Sequence, residues 1–76
     1  MTKKEKRIQE VKRGKRITPS EGQQLLKQIG YESKNTEGSH QTWSNGQNKI
    51  VILLNVKELP SYLIDQLKEI IKGEGL

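Results

Sequence analysis

The chain has no cysteine and no phenylalanine, and it has a single histidine, His40. Without cysteine, disulfides, thiolate catalysis and zinc-finger ligation are excluded together. One histidine also leaves a transition metal with few ligands, so we expect neither a metal nor another cofactor. Because only 30% of the 76 residues are hydrophobic, we expect one domain with a small core and modest stability.

Long apolar runs are missing as well. The longest unbroken run covers residues 50–54, which is far too short to span a membrane. The charged N-terminus is not followed by an apolar segment of the signal-peptide type. These features predict a soluble cytoplasmic protein that does not bind membranes.

Positive charge is concentrated at the start of the chain. Residues 1–16 hold eight lysines and arginines against two glutamates, whereas residues 17–76 hold six against seven acids. We therefore divide the chain into a basic N-terminal helix or arm, residues 1–16, and a domain, residues 17–76. The helix is predicted over residues 3–13. Its charge favours a polyanion such as a nucleic acid, and the alternative is a solvated tail.

Capping and turn signals organise the domain. Thr18-Pro19-Ser20-Glu21 is a capping box, which predicts a helix over residues 19 to about 29 that ends at a left-handed Gly30. Strands are predicted at residues 31–35, 39–44 and 49–54, with a turn at 36–38 and a hairpin at Asn45-Gly46. Pro60 and Ser61 then begin a last helix with an apolar stripe.

This order predicts an α+β fold, in which a three-stranded antiparallel sheet has both helices on one face. Helix, three strands and helix is the order of double-stranded RNA-binding domains, and the basic N-terminal helix is an addition to it. Side chains alternate along a strand, so Trp43 and His40 lie on opposite sides of the sheet. With Trp43 as the core aromatic residue, His40 faces away from the core.

His40 is the first candidate for proton transfer, because histidine alone has an unperturbed pKa near neutrality. RNA carries its own nucleophile, the 2′-hydroxyl. Cleavage without metal therefore needs a base, an acid and positive charge near the phosphate. His40 fills one of the two proton-transfer roles, and the other falls to water or to a weaker group, for which Ser39, Lys34 and Tyr62 are candidates.

Other residues around the predicted hairpin are candidates for RNA binding. Gly38 has no β-carbon, so it can adopt positive φ and let a phosphate approach the N–H groups that follow it, beginning with Ser39. Lys34 and Lys49 flank the hairpin and are candidates for phosphate contact, and Tyr62 for stacking on a base. The alternatives are an ordinary turn glycine, solvated lysines and a tyrosine that packs over the sheet edge.

The chain resembles the HicA toxins of bacterial and archaeal toxin–antitoxin pairs over nearly its whole length. The resemblance lies in the run GQQLLKQIGYESKNTEGSHQTWSNG, the apolar strand KIVILLNV and the closing LPSYLIDQLKEIIKGEGL. Some members of that family also begin with a basic helical segment like KKEKRIQEVKRGKR. The most specific part is the spacing from Gly30 and its aromatic neighbour to Gly38-Ser39-His40 and Trp43.

The resemblance implies a ribosome-independent ribonuclease that cleaves single-stranded messenger RNA. It also implies that the histidine of the Gly-Ser-His motif, here His40, is catalytic and that a HicB-type antitoxin is the partner. One alternative is a HicA-like protein without activity, since the chain departs from the family at residues 35–37, at Gln41 and at residues 54–56. Another is a non-catalytic RNA-binding module of the same fold, although the last helix begins with Ser61-Tyr62-Leu63 instead of lysines. A helix-turn-helix DNA-binding protein is not predicted, because a sheet separates the helices.

Overall fold

The computed structural model describes residues 3–76, which form three α-helices and three β-strands. In chain order the elements are α1 (Lys3–Lys12), α2 (Pro19–Gln28), β1 (Glu32–Glu37), β2 (His40–Ser44), β3 (Lys49–Leu53) and α3 (Ser61–Gly73). The strands form one antiparallel sheet in the order β1-β2-β3, which confirms the predicted α+β class and meander. Among the residues described, no helix is both long and apolar enough to cross a membrane.

The ends of α2 follow from its capping residues. The Glu21 amide donates to the Thr18 side chain at 3.2 Å, and the Thr18 amide donates to the Glu21 carboxylate at 2.9 Å. This second bond holds the pKa of Glu21 below its usual value. At the other end Gly30 has a φ of +98°, and the Tyr31 amide donates back to the Leu26 carbonyl at 2.8 Å. The predicted capping box and the predicted left-handed end are both confirmed.

The first hairpin differs from the prediction. Residues 36–38 were expected to form its turn, but β1 continues to Glu37 and the turn consists of Gly38 and Ser39. Glu37 pairs with His40, so the strand ladder satisfies backbone groups that a longer turn would leave to water. Tyr31, expected to begin β1, is instead buried at the end of α2. The positive φ expected at Gly38 is confirmed, at +58°.

The core lies between the helices and the sheet face that carries Trp43, which we call the inner face. The opposite face, which carries His40, is the outer face. Trp43 is 7% exposed and belongs to the core cluster, whereas His40 is exposed, so the predicted orientation of β2 is confirmed. The buried hydrophobic residues are Ile8, Val11, Ile17, Leu25, Leu26, Tyr31, Trp43, Ile50, Ile52, Leu59, Leu63, Ile64, Leu67 and Ile71.

The helix of the basic segment packs against the rest of the protein. Ile8 and Val11 on α1 are buried in the core cluster, and α1 contacts both α2 and α3. The Arg7 guanidinium hydrogen-bonds to the Glu21 carboxylate on α2 and lies 3.5 Å from Glu10. Most of the other basic side chains of α1 are exposed. This helix therefore combines an apolar contact edge with a basic surface.

Candidate functional site

His40 is the first residue of β2, directly after the turn, and its side chain is exposed on the outer face. It pairs with Glu37 on β1 and with Leu53 on β3. Paired residues of antiparallel strands project from the same face, so these two side chains flank His40. The imidazole is thus accessible to a ligand, while its backbone is held by a strand on each side.

The Gly38-Ser39 turn lies beside this histidine. A β-carbon built on Gly38 would meet no atom within 4 Å, so the turn requires glycine for its positive φ and not for lack of space. The Leu54 amide donates to the Ser39 carbonyl at 2.7 Å, which ties the turn to the end of β3. The structure thus brings Gly38, Ser39 and His40 together at one corner of the sheet.

A polar network on the inner face supports the strand that carries His40. The Gln41 side-chain oxygen accepts from the Trp43 indole N–H at 2.8 Å and from the Gln23 amide at 2.6 Å. The Gln41 amide group donates to the Thr36 hydroxyl at 3.2 Å. One side chain therefore links β1, β2 and α2 immediately next to His40. The sequence pattern assigned it no structural role, and its one available signal was that it shares the side of Trp43.

A cleft of about 850 Å³ runs between the free edge of β3 and α3, and we call it the β3–α3 cleft. It brings together three of the predicted site residues, since His40, Lys49 and Tyr62 all line it. They come from β2, from the start of β3 and from the first turn of α3. Tyr62 is 54% exposed, so its ring is available to a ligand.

Lys34 lies elsewhere. It is exposed on β1, at the point where the register with β2 shifts between Ser33 and Asn35. Its ammonium is 3.1 Å from the carboxylate of Glu32, and it is not among the residues that line the β3–α3 cleft. Any phosphate bound by Lys34 would therefore lie at the opposite edge of the sheet from Lys49.

Glu37 is a neighbour of His40 that the sequence pattern did not reveal, because the pattern placed it in the turn. As the cross-strand partner of His40 it projects from the same outer face. The Asn35 amide group donates to its carboxylate at 3.3 Å. A carboxylate beside a histidine can orient the ring or exchange a proton with a substrate.

The charges near the site are unevenly placed. Besides His40, the titratable residues that line the β3–α3 cleft are Lys49, Tyr62, Glu69 and Glu74, so acids outnumber lysines there. The strong positive charge lies on α1 and the segment that follows it. Within residues 3–76 no group of three or more histidine, aspartate and glutamate side chains is placed to hold a metal ion. The cleft therefore carries little positive charge, and the strongly basic surface lies on α1 and the segment after it.

No protein-family model, no curated protein and no solved structure matches this chain.

Proposed function

We propose that this protein is a HicA-type toxin, a metal-independent ribonuclease that cleaves single-stranded messenger RNA in the cytoplasm with His40 as its one catalytic histidine. The observation that carries the proposal is the position of His40. It is exposed at the head of β2, beside the positive-φ turn at Gly38, and lines a cleft with Tyr62 and Lys49.

The chemistry needs few groups. His40 either accepts the proton of the 2′-hydroxyl or donates one to the leaving 5′-oxygen, and a second group takes the other role. In this proposal that group is Glu37, which pairs with His40 across the ladder, or Tyr62, which lines the cleft. General acid–base catalysis contributes roughly 10²–10⁴ in rate, so a site with one histidine is suited to a slow nuclease.

The proposal includes kinship with double-stranded RNA-binding domains. The order α2-β1-β2-β3-α3 is the order of that fold, with α1 as an addition. The position of the core further supports this kinship, since Trp43, Ile50 and Ile52 all face the helices from one side of the sheet.

In this proposal the RNA backbone is attracted by α1. Since Ile8 and Val11 are part of the core, removing residues 1–16 would damage the fold along with the charge. Substituting exposed cations is the better test, with Lys12 and Arg13 changed to glutamine. The salt dependence of RNA binding should then flatten by about 0.7 log units per log unit of salt for each phosphate that is no longer neutralised. An unchanged slope would show that these two cations are not part of the RNA-binding surface.

The proposed partner is a HicB-type antitoxin that covers the outer face around Gly38, Ser39 and His40 and places acidic groups where phosphates would lie. An interface of the standard size, about 1,600 Å² in total, is expected. The test is to co-purify this protein with the product of the adjacent gene and to label the complex with diethylpyrocarbonate. A bound neighbour that leaves His40 fully reactive would rule out active-site occlusion.

The central experiment compares the parent with His40→Ala and with Thr42→Ala, a matched change two residues along on the same face. We expect His40→Ala to remain folded and to lose both growth arrest on induction and RNA cleavage, and Thr42→Ala to keep both. Cleavage by the parent should continue in excess EDTA and leave a cyclic phosphate and a free 5′-hydroxyl. A folded His40→Ala protein that is still toxic would show the mechanism to be wrong.

A non-catalytic RNA-binding module is the second candidate, and the basic surface of α1 favours it because that surface does not need His40. The same variants separate the two functions. A module of this kind would bind RNA equally well with and without His40, and it would yield no cleavage products in either form.

A further inference from the structure

Within residues 3–76, the backbone groups on the free edge of β3 have no strand partner. The Leu54 amide donates to the Ser39 carbonyl across the ladder. Along a strand, each residue directs its N–H and C=O groups to one neighbouring side, and the next residue directs them to the other. With the observed register, Ile50 and Ile52 therefore bond to β2. The N–H and C=O groups of Lys49, Val51 and Leu53 point the other way, and β3 is the last strand of the sheet.

This edge has few of the features that normally prevent strand addition. Proteins protect free edges with charges, proline or bulges. β3 has no proline and pairs with β2 without a register shift, and its one charged residue is Lys49 at the end. In its centre Val51 is 40% exposed, an apolar side chain next to unpaired backbone groups.

The β3–α3 cleft gives this edge a second wall. Tyr62, Leu63 and Ile70 of α3 face the free edge of β3 across the cleft. Adding a strand to a sheet requires about 4.8 Å of lateral spacing, with side chains alternating between the two faces. A strand placed beside β3 would direct its inner side chains toward Ile50 and α3, so apolar residues are favoured at alternate positions.

We propose that the β3–α3 cleft binds an extended segment of another protein as a fourth strand, with apolar residues at alternate positions and a lysine or arginine near Glu69 and Glu74. Its backbone would bond to Lys49, Val51 and Leu53. This mode of recognition takes affinity from main-chain bonds and specificity from alternate side chains.

The charge of the cleft favours a basic peptide segment as its occupant. Glu69 and Glu74 line it against Lys49 alone, in a chain whose formal net charge is +5, so a basic segment is favoured there over an acidic one. A second copy paired antiparallel through β3 would place its Lys49 opposite Leu53. Glu74 lies at the other end, where its carboxylate accepts from the Asn45 amide group at 3.4 Å. A homodimer therefore brings no further cation to Glu74.

A strand bound here would reach His40, which lines the same cleft. Its binding would then control access to the histidine, a consequence that rests on the proposed ribonuclease function. The cleft shares His40 with the outer face proposed for the antitoxin's acidic groups, but it calls for a partner segment of the opposite charge, a basic one. Peptide binding to the cleft is measurable without RNA, so it succeeds or fails independently of nuclease activity.

The test uses two acetylated, amidated peptides that differ in direction, Lys-Val-Thr-Val-Thr-Val and Val-Thr-Val-Thr-Val-Lys, titrated into the isotope-labelled full chain. We expect one of them to bind, with shifts in the amide signals of Lys49, Val51 and Leu53. A form of that peptide with N-methyl groups on alternate residues should bind about tenfold more weakly or not at all, because methylation removes ladder donors.

Matched variants at Val51 isolate the edge. Val51→Pro removes an N–H that points away from β2, so the β2–β3 ladder is retained, while Val51→Thr keeps both the shape and the N–H. Peptide affinity should fall about tenfold in Val51→Pro and stay near the parent value in Val51→Thr. Affinity for the lysine peptide should also fall in a Glu69→Lys, Glu74→Lys double variant and recover with a glutamate peptide.

Several results would overturn the proposal. The edge would not be the binding site if neither peptide bound or if binding were insensitive to N-methylation. The same conclusion would follow if a folded Val51→Pro protein bound the peptide as tightly as the parent. A concentration-dependent dimer abolished by Val51→Pro would assign the cleft to a second copy of the chain. Equal affinity of the parent for the lysine peptide and for its glutamate counterpart would contradict the charge argument.

Discussion

β1 and β3 border the same central strand but are attached to the protein in different ways. All six residues of β1 are exposed, whereas β3 buries Ile50 and Ile52 to 3% and 0% exposure. β1 also pairs through a register shift, and β3 pairs without one. The comparison shows that one sheet can have an edge held by the core and an edge held mainly by hydrogen bonds.

The compositions of the two strands explain the difference. β1 reads ESKNTE, with no apolar side chain to bury, and β3 reads KIVIL, with isoleucines on the face toward the helices. Segments with few buried apolar contacts open locally at lower free energy. β1 therefore forms a polar flank beside the corner that carries His40, and β3, which is anchored by its two isoleucines, forms one wall of the cleft.

The largest expected effect comes from weakening the attachment of β3. Ile52→Ala removes a fully buried side chain and should lower the free energy of unfolding by about 3 kcal/mol. The control is Val51→Ala on the outer face of the same strand, which should cost less than about 1 kcal/mol. Urea denaturation followed by the fluorescence of Trp43, the single tryptophan, measures both. Equal losses in the two variants would contradict the assignment of the inner face.

The next effect concerns the side chain that links β1 to the core. Gln41→Ala leaves the indole N–H of the buried Trp43 without its acceptor and should destabilise the protein by about 2 kcal/mol. Thr36→Val removes the link to β1 alone and should cost less than about 0.5 kcal/mol. The same denaturation assay applies. A larger loss of stability in Thr36→Val than in Gln41→Ala would show that the hydrogen bond to β1 matters more than the one to Trp43. That result would contradict the comparison of the two edge strands.

A smaller effect is expected at the turn that joins β1 to β2. Gly38→Ala has room for the new methyl group but must adopt a φ near +58°, so a loss of about 1 kcal/mol is expected. Hydrogen exchange should quicken in β1 and the start of β2 and stay unchanged in β3. Uniformly faster exchange across the sheet would mean that β1 does not open separately.

The smallest effect is expected within β1 itself. Lys34→Ala removes an exposed lysine paired with the exposed Glu32, and stability should change by less than about 0.5 kcal/mol. RNA affinity measured on the same variant tests the predicted phosphate contact. The affinity should fall while the free energy of unfolding stays constant. A loss of more than about 1 kcal/mol would show that this edge stabilises the fold despite its exposure.

Much of the fold was predictable because local rules decide it. The capping box at Thr18, the left-handed glycine at Gly30 and the alternation that separates Trp43 from His40 depend on neighbours within a few residues, and all three were confirmed. The prediction of a turn at residues 36–38 was wrong. Polar residues such as Thr36 and Glu37 are equally compatible with turns and with exposed strands, so only their pairing with β2 shows that they belong to a strand.

The sequence by itself determined the order of the elements, the face on which His40 lies and the concentration of positive charge in the first 16 residues. Each of these depends on periodicity, capping or composition, which are properties of short stretches of chain. Only the tertiary structure decided that Glu37 flanks His40, that Gln41 links three elements, and that Tyr62 and Lys49 share a cleft with the histidine. These contacts join residues brought together by strand register and helix packing, and both are set by the core as a whole.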